Sequence, residues 1–237
     1  LAGGLASSRS RLVAAVVPTI VGPVFLEMVQ SLTESLAASG YQLMLGQSGY
    51  AGSREDALLD AIIGRRPDGI FLTGIMHSEE GRRRLLASGI PVVETWDLTP
   101  EPIDMLIGFS HEKIGAAVVE HFAQRGRRRL AALTGDDPRA LRRKDGYVQA
   151  GRARGLAWDE LDGLPTAMVR APTTAGSGRT GLLDLLARPP DVDAIFCSSD
   201  LLALGVLIEA RQQGIDVPGR LAVVGFGDLA MARDFEP

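Results

Sequence analysis

The sequence predicts a two-lobed α/β protein built on parallel sheets, and three observations carry that prediction. Short apolar runs alternate with helix-period segments along nearly the whole chain, the pattern of repeated strand–helix units. The runs are continuously apolar rather than alternating, as strands covered by helices on both faces must be. The regularity breaks once, over 95–104, where Pro100 and Pro102 interrupt it, and then restarts with the same order of elements. A chain of 237 residues has room for two lobes of about 100–120 residues each.

In chain order the first series reads strand 12–17, helix 24–39 closed by Gly40, strand 41–45 and helix 53–65 capped by Ser53. Strand 69–72, helix 78–88 closed by Gly89, and strand 91–94 complete it. Strand 105–109 is expected to open the second series, which continues with helix 114–125, strand 129–133, helix 140–154 and strand 167–169. Helix 177–187, strand 194–197, helix 201–213 and strand 221–225 follow. The expected division is therefore a leader over 1–11, a first lobe over 12–104 and a second lobe over 105–237. Two such lobes with a hinge take a small molecule at the carboxyl ends of their strands, so function is expected there.

Composition narrows the classes. A hydrophobic fraction of 46% with 23% charged residues is that of a globular protein, not a disordered one. No apolar run reaches the eighteen or so residues that a membrane span needs, and Leu1 to Ala6 is too short for a signal-peptide core. The net charge of -4 argues against nucleic-acid binding through the bulk surface. Cys197 stands alone, so no internal disulfide is possible, and a reducing, cytoplasmic setting is expected.

Chemistry-bearing patterns are few. His77, His111 and His121 have no ligand spacing and no cysteine pair beside them, so no metal is expected. No nucleophile elbow follows a strand and no acid–base pair stands out, so neither catalysis nor a cofactor is expected. Gly176-Ser177-Gly178-Arg179-Thr180-Gly181 satisfies G-x-G-x-x-G, with Asp200 nineteen residues beyond. A dinucleotide site needs those glycines directly after a strand, whereas Pro172 to Ala175 intervene here, and Pro189 and Pro190 cut the helix short. The arginine runs 82–84 and 127–129 read as solvated faces or turns.

A series of local patterns, in order over nearly the whole chain, resembles the lac-repressor (LacI/GalR) family of transcription regulators. Leu1 to Arg11, with Leu5 at its centre, is similar to that family's hinge helix. Pro18 with Pro23-Val24-Phe25, Arg66-Pro67-Asp68-Gly69-Ile70 and Gly89-Ile90-Pro91-Val92-Val93 match its first-lobe turns. Gly108-Phe109-Ser110, Gly115, Gly126 with Arg127-Arg128-Arg129, and Arg143-Lys144-Asp145-Gly146-Tyr147 follow. Ser199-Asp200-Leu201-Leu202-Ala203-Leu204-Gly205, Val217-Pro218 and Val224-Gly225-Phe226-Gly227-Asp228 complete the series. Glu94-Thr95-Trp96-Asp97-Leu98, Ser198-Ser199-Asp200 and Gly225-Phe226-Gly227-Asp228-Leu229 look like the branch that regulates gluconate utilisation. That branch favours a sugar acid over a neutral hexose.

The resemblance implies a periplasmic-binding-protein-like (type I) clamp of two similar Rossmann-like lobes, and it gives strand-end residues roles to be weighed against structural ones. Arg143 would read a carboxylate or paired hydroxyls; in the run with Arg139, Arg142 and Lys144 it could equally be one of a solvated helix face. Arg139 is a second candidate cation. Asp200 would accept hydroxyls or simply cap the following helix. Phe25 and Trp96 would pack against the carbon face of a sugar, with Phe25 otherwise a core residue, and Asp97 would accept a hydroxyl. Thr73, Thr173 and Asp228 are strand-end candidates that double as turn or cap residues.

The function implied is that of the effector-sensing part of a repressor working as a homodimer. Operator DNA would be bound through a helix-turn-helix head ahead of Leu1, Leu5 would enter the minor groove, and returning segments would follow Pro237. The effector would be a sugar acid or a phosphorylated sugar acid. The alternative is a periplasmic sugar-binding protein of a transporter, which shares the lobes and the hinge.

Overall fold

Strand β1 (Leu12–Val17) offers only apolar side chains, and its last four residues are buried. In the computed structural model, which describes residues 9–50, 53–76, 78–156, 163–188 and 191–235, it is an interior strand of the first sheet. Leu5 and His77 lie outside the described residues. β1 pairs in parallel with β2 (Gln42–Gln47) and β3 (Gly69–Thr73), β3 with β4 (Val92–Thr95), and β4 with β5 (Met105–Ile107), giving the order β2-β1-β3-β4-β5. Helices α1 (Leu26–Ala38), α2 (Ser53–Ile63) and α3 (Glu79–Ser88) are the crossovers. Leu59 and Ile62 of α2 and Leu85 of α3 bury against Ala14, Val16, Ile70, Leu72 and Val92 of the sheet.

The ends of these elements follow from their residues. Ser78 caps α3 by accepting from the Gly81 amide at 3.1 Å, and Gly89 ends it at φ +64°, a backbone conformation that glycine adopts without steric cost. Pro23 opens a 3-10 turn, Pro23–Phe25, so the helix expected from residue 24 becomes regular only at Leu26. β5 corrects the expected division at 104/105. It belongs to the first sheet, pairing Val93 with Met105 and Thr95 with Ile107, and the chain divides into Leu1–Ser110 and His111–Pro237. The prolines that looked like a lobe crossing mark a helix-free connection between two parallel strands of one sheet. Glu94, fully buried, secures that connection: Oε2 accepts from the Ile103 amide at 2.8 Å while Oε1 accepts from the Met76 amide at 2.8 Å.

The second unit contains the sheet β7-β6-β8-β9, all parallel, formed by β6 (Leu130–Gly135), β7 (Thr166–Val169), β8 (Ala194–Cys197) and β9 (Ala222–Val224). Helices α4 (His111–Gln124) and α5 (Pro138–Ala153) bury Val118, Val119, Phe122 and Tyr147 in one core cluster with Leu130, Ala132, Ala194 and Phe196. Helices α6 (Ala175–Leu186) and α7 (Asp200–Gln212) contribute Leu182, Leu185, Leu202 and Val206 to another, with Leu133, Ile195 and Cys197. Burial raises the Tyr147 hydroxyl and the Cys197 thiol well above their ordinary pKa values, so the thiol is an inert core group.

Each helix pair meets through glycine. A Cβ at Gly115 of α4 would overlap the Arg143 carbonyl, and one at Gly146 of α5 would overlap the Glu112 carbonyl. Likewise Gly178 of α6 abuts the Leu202 carbonyl, and Gly205 of α7 abuts the Ala175 carbonyl. The G-x-G-x-x-G string therefore lies inside α6 rather than in a strand-to-helix turn. Its second glycine admits α7, and its third leaves room for the Leu133 side chain. The architecture is thus two α/β units, each with a parallel sheet and its crossover helices.

Candidate functional site

The candidates from the first unit gather where its strands end. Phe25 follows β1 and is buried; Trp96 follows β4 and is half-buried. Their rings meet edge-on with centroids 5.3 Å apart, and Phe109, past β5, meets Trp96 in the same way at 5.8 Å. The indole Nε1 donates to Met28 Sδ at 3.2 Å. Trp96 holds this place at φ +66°, a region that costs a bulky residue about 1–3 kcal/mol. Asp97 is buried, its Oδ1 accepts from the Leu98 amide at 2.8 Å, and its backbone is crossed so closely by Gly108 that a Cβ there would overlap the Asp97 carbonyl. Thr73 ends β3, half-buried.

The second unit brings another group together at its own strand ends. Arg143, on the second turn of α5, is 6% exposed, so the solvated-face reading of it is excluded. Its Nη2 donates to the Ser198 carbonyl at 3.0 Å, at the end of β8. Its Nη1 lies 2.9 Å from Nδ1 of His111, the first residue of α4, and its Cζ sits 4.1 Å from the centroid of the Phe226 ring. His111, 1% exposed, also meets Phe226 edge-on. Nearby in the sequence, burial lowers the pKa of Arg142.

Asp200 does not cap α7. Ser199 does, accepting from the Leu202 amide at 3.3 Å, and its hydroxyl pairs with that of Thr173 at 2.8 Å. Asp200 instead pins the loop after β9: its amide donates to the Phe226 carbonyl at 3.0 Å and its Oδ2 accepts from the Leu229 amide at 2.8 Å. The same carboxylate explains two glycines, since a Cβ at Gly225 would overlap Oδ1 and one at Gly227 would crowd Oδ2. Asp228 rides on that loop, exposed and at φ +50°, and Arg139 is half-buried in the first turn of α5.

His111, Ser198, Phe226, Phe109 and Glu94 were not among the sequence candidates. Phe226 was visible as the aromatic after β9, and His111 as the histidine following Gly108-Phe109-Ser110. A cavity of about 220 Å³ also opens in the second unit, lined by Leu204, Leu207, Val223, Met231 and Phe235 with Asp200 at its edge. Arg143, His111 and Phe226 do not line it, and its apolar wall has little to orient a polyol. Among the described residues there is no cluster of metal-ligating side chains, and no helix is long and apolar enough to cross a membrane.

Residues 119–237 match the family of periplasmic binding protein-like domains. The HTH-type transcriptional regulator GntR of Pseudomonas aeruginosa is 36% identical over 229 residues, a match that covers 96% of this chain and only 66% of that protein's length. The crystal structure of the transcription regulator GntR from Chromobacterium violaceum is 37% identical, with a TM-score of 0.86, covering 94% of this chain and 81% of that one. A LacI family transcriptional regulator from Silicibacter pomeroyi is 32% identical, also with a TM-score of 0.86, covering 94% of this chain and 83% of that one. With two parallel-sheet units, their strand-end clusters and these likenesses together, the chain belongs to the LacI family of transcriptional regulators, as its periplasmic-binding-protein-like part.

Proposed function

We propose that this chain is the effector-sensing part of a transcriptional repressor whose ligand is a sugar acid, gluconate or a close chemical relative such as a phosphorylated sugar acid. The observation that carries the reading is the buried guanidinium of Arg143, held at the end of β8 by the Ser198 carbonyl and over the Phe226 ring. A fixed guanidinium fork suits a carboxylate or phosphate group. The aromatic cluster of Phe25 and Trp96 supplies an apolar face for carbon-bound hydrogens, while Asp97, Asp200, Thr73 and Thr173 supply hydroxyl partners. Arg139, half-buried on the first turn of α5, and Asp228, exposed on the loop after β9, are proposed as further polar partners of the ligand. The resemblance of 94–98 and 225–229 to gluconate regulators, and relatives that carry the name GntR, support the acid over a neutral sugar.

The regulator acts as a cytoplasmic homodimer. The sugar acid favours one arrangement of the two units over another, and so alters operator binding by a helix-turn-helix head, through the leader containing Leu5. The similar proteins are named as transcriptional regulators, which leaves the transporter-type alternative without support. Calorimetric titration of the purified protein with gluconate, 6-phosphogluconate and glucose tests the reading. Binding of an acid that weakens by about 10- to 100-fold on Arg143→Ala supports it. Binding of glucose alone, or of neither acid by the folded protein, removes the sugar-acid assignment.

A further inference from the structure

We infer that His111 is a specificity-determining, positioning residue, which fixes the Arg143 guanidinium with an acceptor that adds no negative charge and so leaves that guanidinium set for an anion. The inference rests on the sugar-acid reading for its ligand. Its geometry lies wholly within the second unit: Arg143 Nη1 is 2.9 Å from His111 Nδ1, Nη2 is 3.0 Å from the Ser198 carbonyl, and Cζ stands over the Phe226 ring, 4.1 Å from its centroid.

An arginine side chain has only donors and keeps its charge at all ordinary pH, so the imidazole Nδ1 must be the acceptor. The ring is then neutral, with its proton on Nε2. The imidazole and the Ser198 carbonyl, both uncharged acceptors, and the Phe226 ring together hold a side chain that otherwise has many rotamers, and this reduces the entropy lost when a ligand docks. The choice of acceptor sets what docks. A carboxylate in place of the imidazole would hold the guanidinium equally well, but would compete electrostatically with an anionic ligand.

The test has two arms. In the ligand-free protein, long-range proton–nitrogen NMR at pH 7, with His111→Asn for assignment, should find the His111 ring with a proton on Nε2 and none on Nδ1. A proton on Nδ1 overturns the inference. In calorimetry with gluconate and glucose, His111→Ala should weaken gluconate by about tenfold or more. His111→Asn, whose Oδ1 stands where Nδ1 stood, should restore most of it. His111→Asp should weaken gluconate while leaving glucose no weaker.

Thermal unfolding of each variant separates a binding defect from a folding defect. Unchanged gluconate affinity in His111→Ala, or equal proportional losses for gluconate and glucose, overturns the inference and leaves the sugar-acid reading standing. A wild-type protein that binds no acid sinks that reading first, and the selectivity argument with it, while the NMR arm still decides the contact itself.

Discussion

The ring of Trp96 meets that of Phe25 edge-on at 5.3 Å while the Trp96 backbone sits at φ +66°. The aromatic contacts with Phe25 and Phe109 offset the cost of holding a bulky residue in the left-handed region. Replacement by alanine removes the rings and keeps the backbone cost, whereas glycine removes both. Trp96→Gly is therefore expected to be more stable than Trp96→Ala by about 1 kcal/mol, read by urea unfolding, although glycine is the worse residue in most contexts. The opposite order would mean that the backbone is not held left-handed in solution.

Two glycines of one motif should behave in opposite ways. At Gly176 a Cβ would meet only Thr174 Oγ1 at 3.6 Å, an ordinary contact, so Gly176→Ala should stabilise α6 by about 0.5–1 kcal/mol. At Gly178 a Cβ would overlap the Leu202 carbonyl and press on Gly205, so Gly178→Ala should cost about 1–3 kcal/mol or more by forcing α6 and α7 apart. Thermal unfolding of the two variants decides between helix packing and a phosphate-binding loop, which would need both glycines.

A pH effect is expected at the same helix pair. The Glu209 carboxyl is held below its ordinary range, first by the hydrogen bond from Gln213 and then by Arg179, whose Nε lies 2.9 Å from Oε2. A carboxylate with a depressed folded-state pKa contributes stability above its unfolded value and loses it as pH falls through the folded one. Unfolding temperatures of wild type and Glu209→Gln should accordingly differ most at neutral pH and converge below about pH 4. A difference that stays constant from pH 7 to pH 3 would exclude an ionised Glu209 as its source.

Apolar pattern made the strands and crossover helices legible, but it missed the polar first turns. α4 begins at His111, α5 at Pro138 and α6 at Ala175, each ahead of the first apolar-periodic residue. The signals were present as cap residues. Asp137 accepts from the Ala140 amide with Pro138 behind it, and Thr174 and Ser177 form a reciprocal capping box. β5 was assigned to the wrong unit because a proline-broken stretch reads alike as a lobe crossing or as a helix-free connection; the side chain that decides it, Glu94, acts on Ile103 and Met76. Arg143, Phe25 and Trp96 were legible as family positions. His111 was not, because what defines it is a contact with a residue 32 positions away, on another helix.

The glycine contact between α4 and α5 also bears on how this site can change over time. His111 and Arg143 stand on helices whose spacing is fixed where Gly115 meets the Arg143 carbonyl and Gly146 meets the Glu112 carbonyl, backbone against backbone. Substitutions among Val118, Val119 and Phe122 are expected to alter the packing beneath more than that spacing. The pair is thereby insulated from drift in the hydrophobic interior. If the proposed site is right, new ligand preferences are expected to arise at the tips, through residues such as Phe226 or His111, while the frame that carries them stays in place.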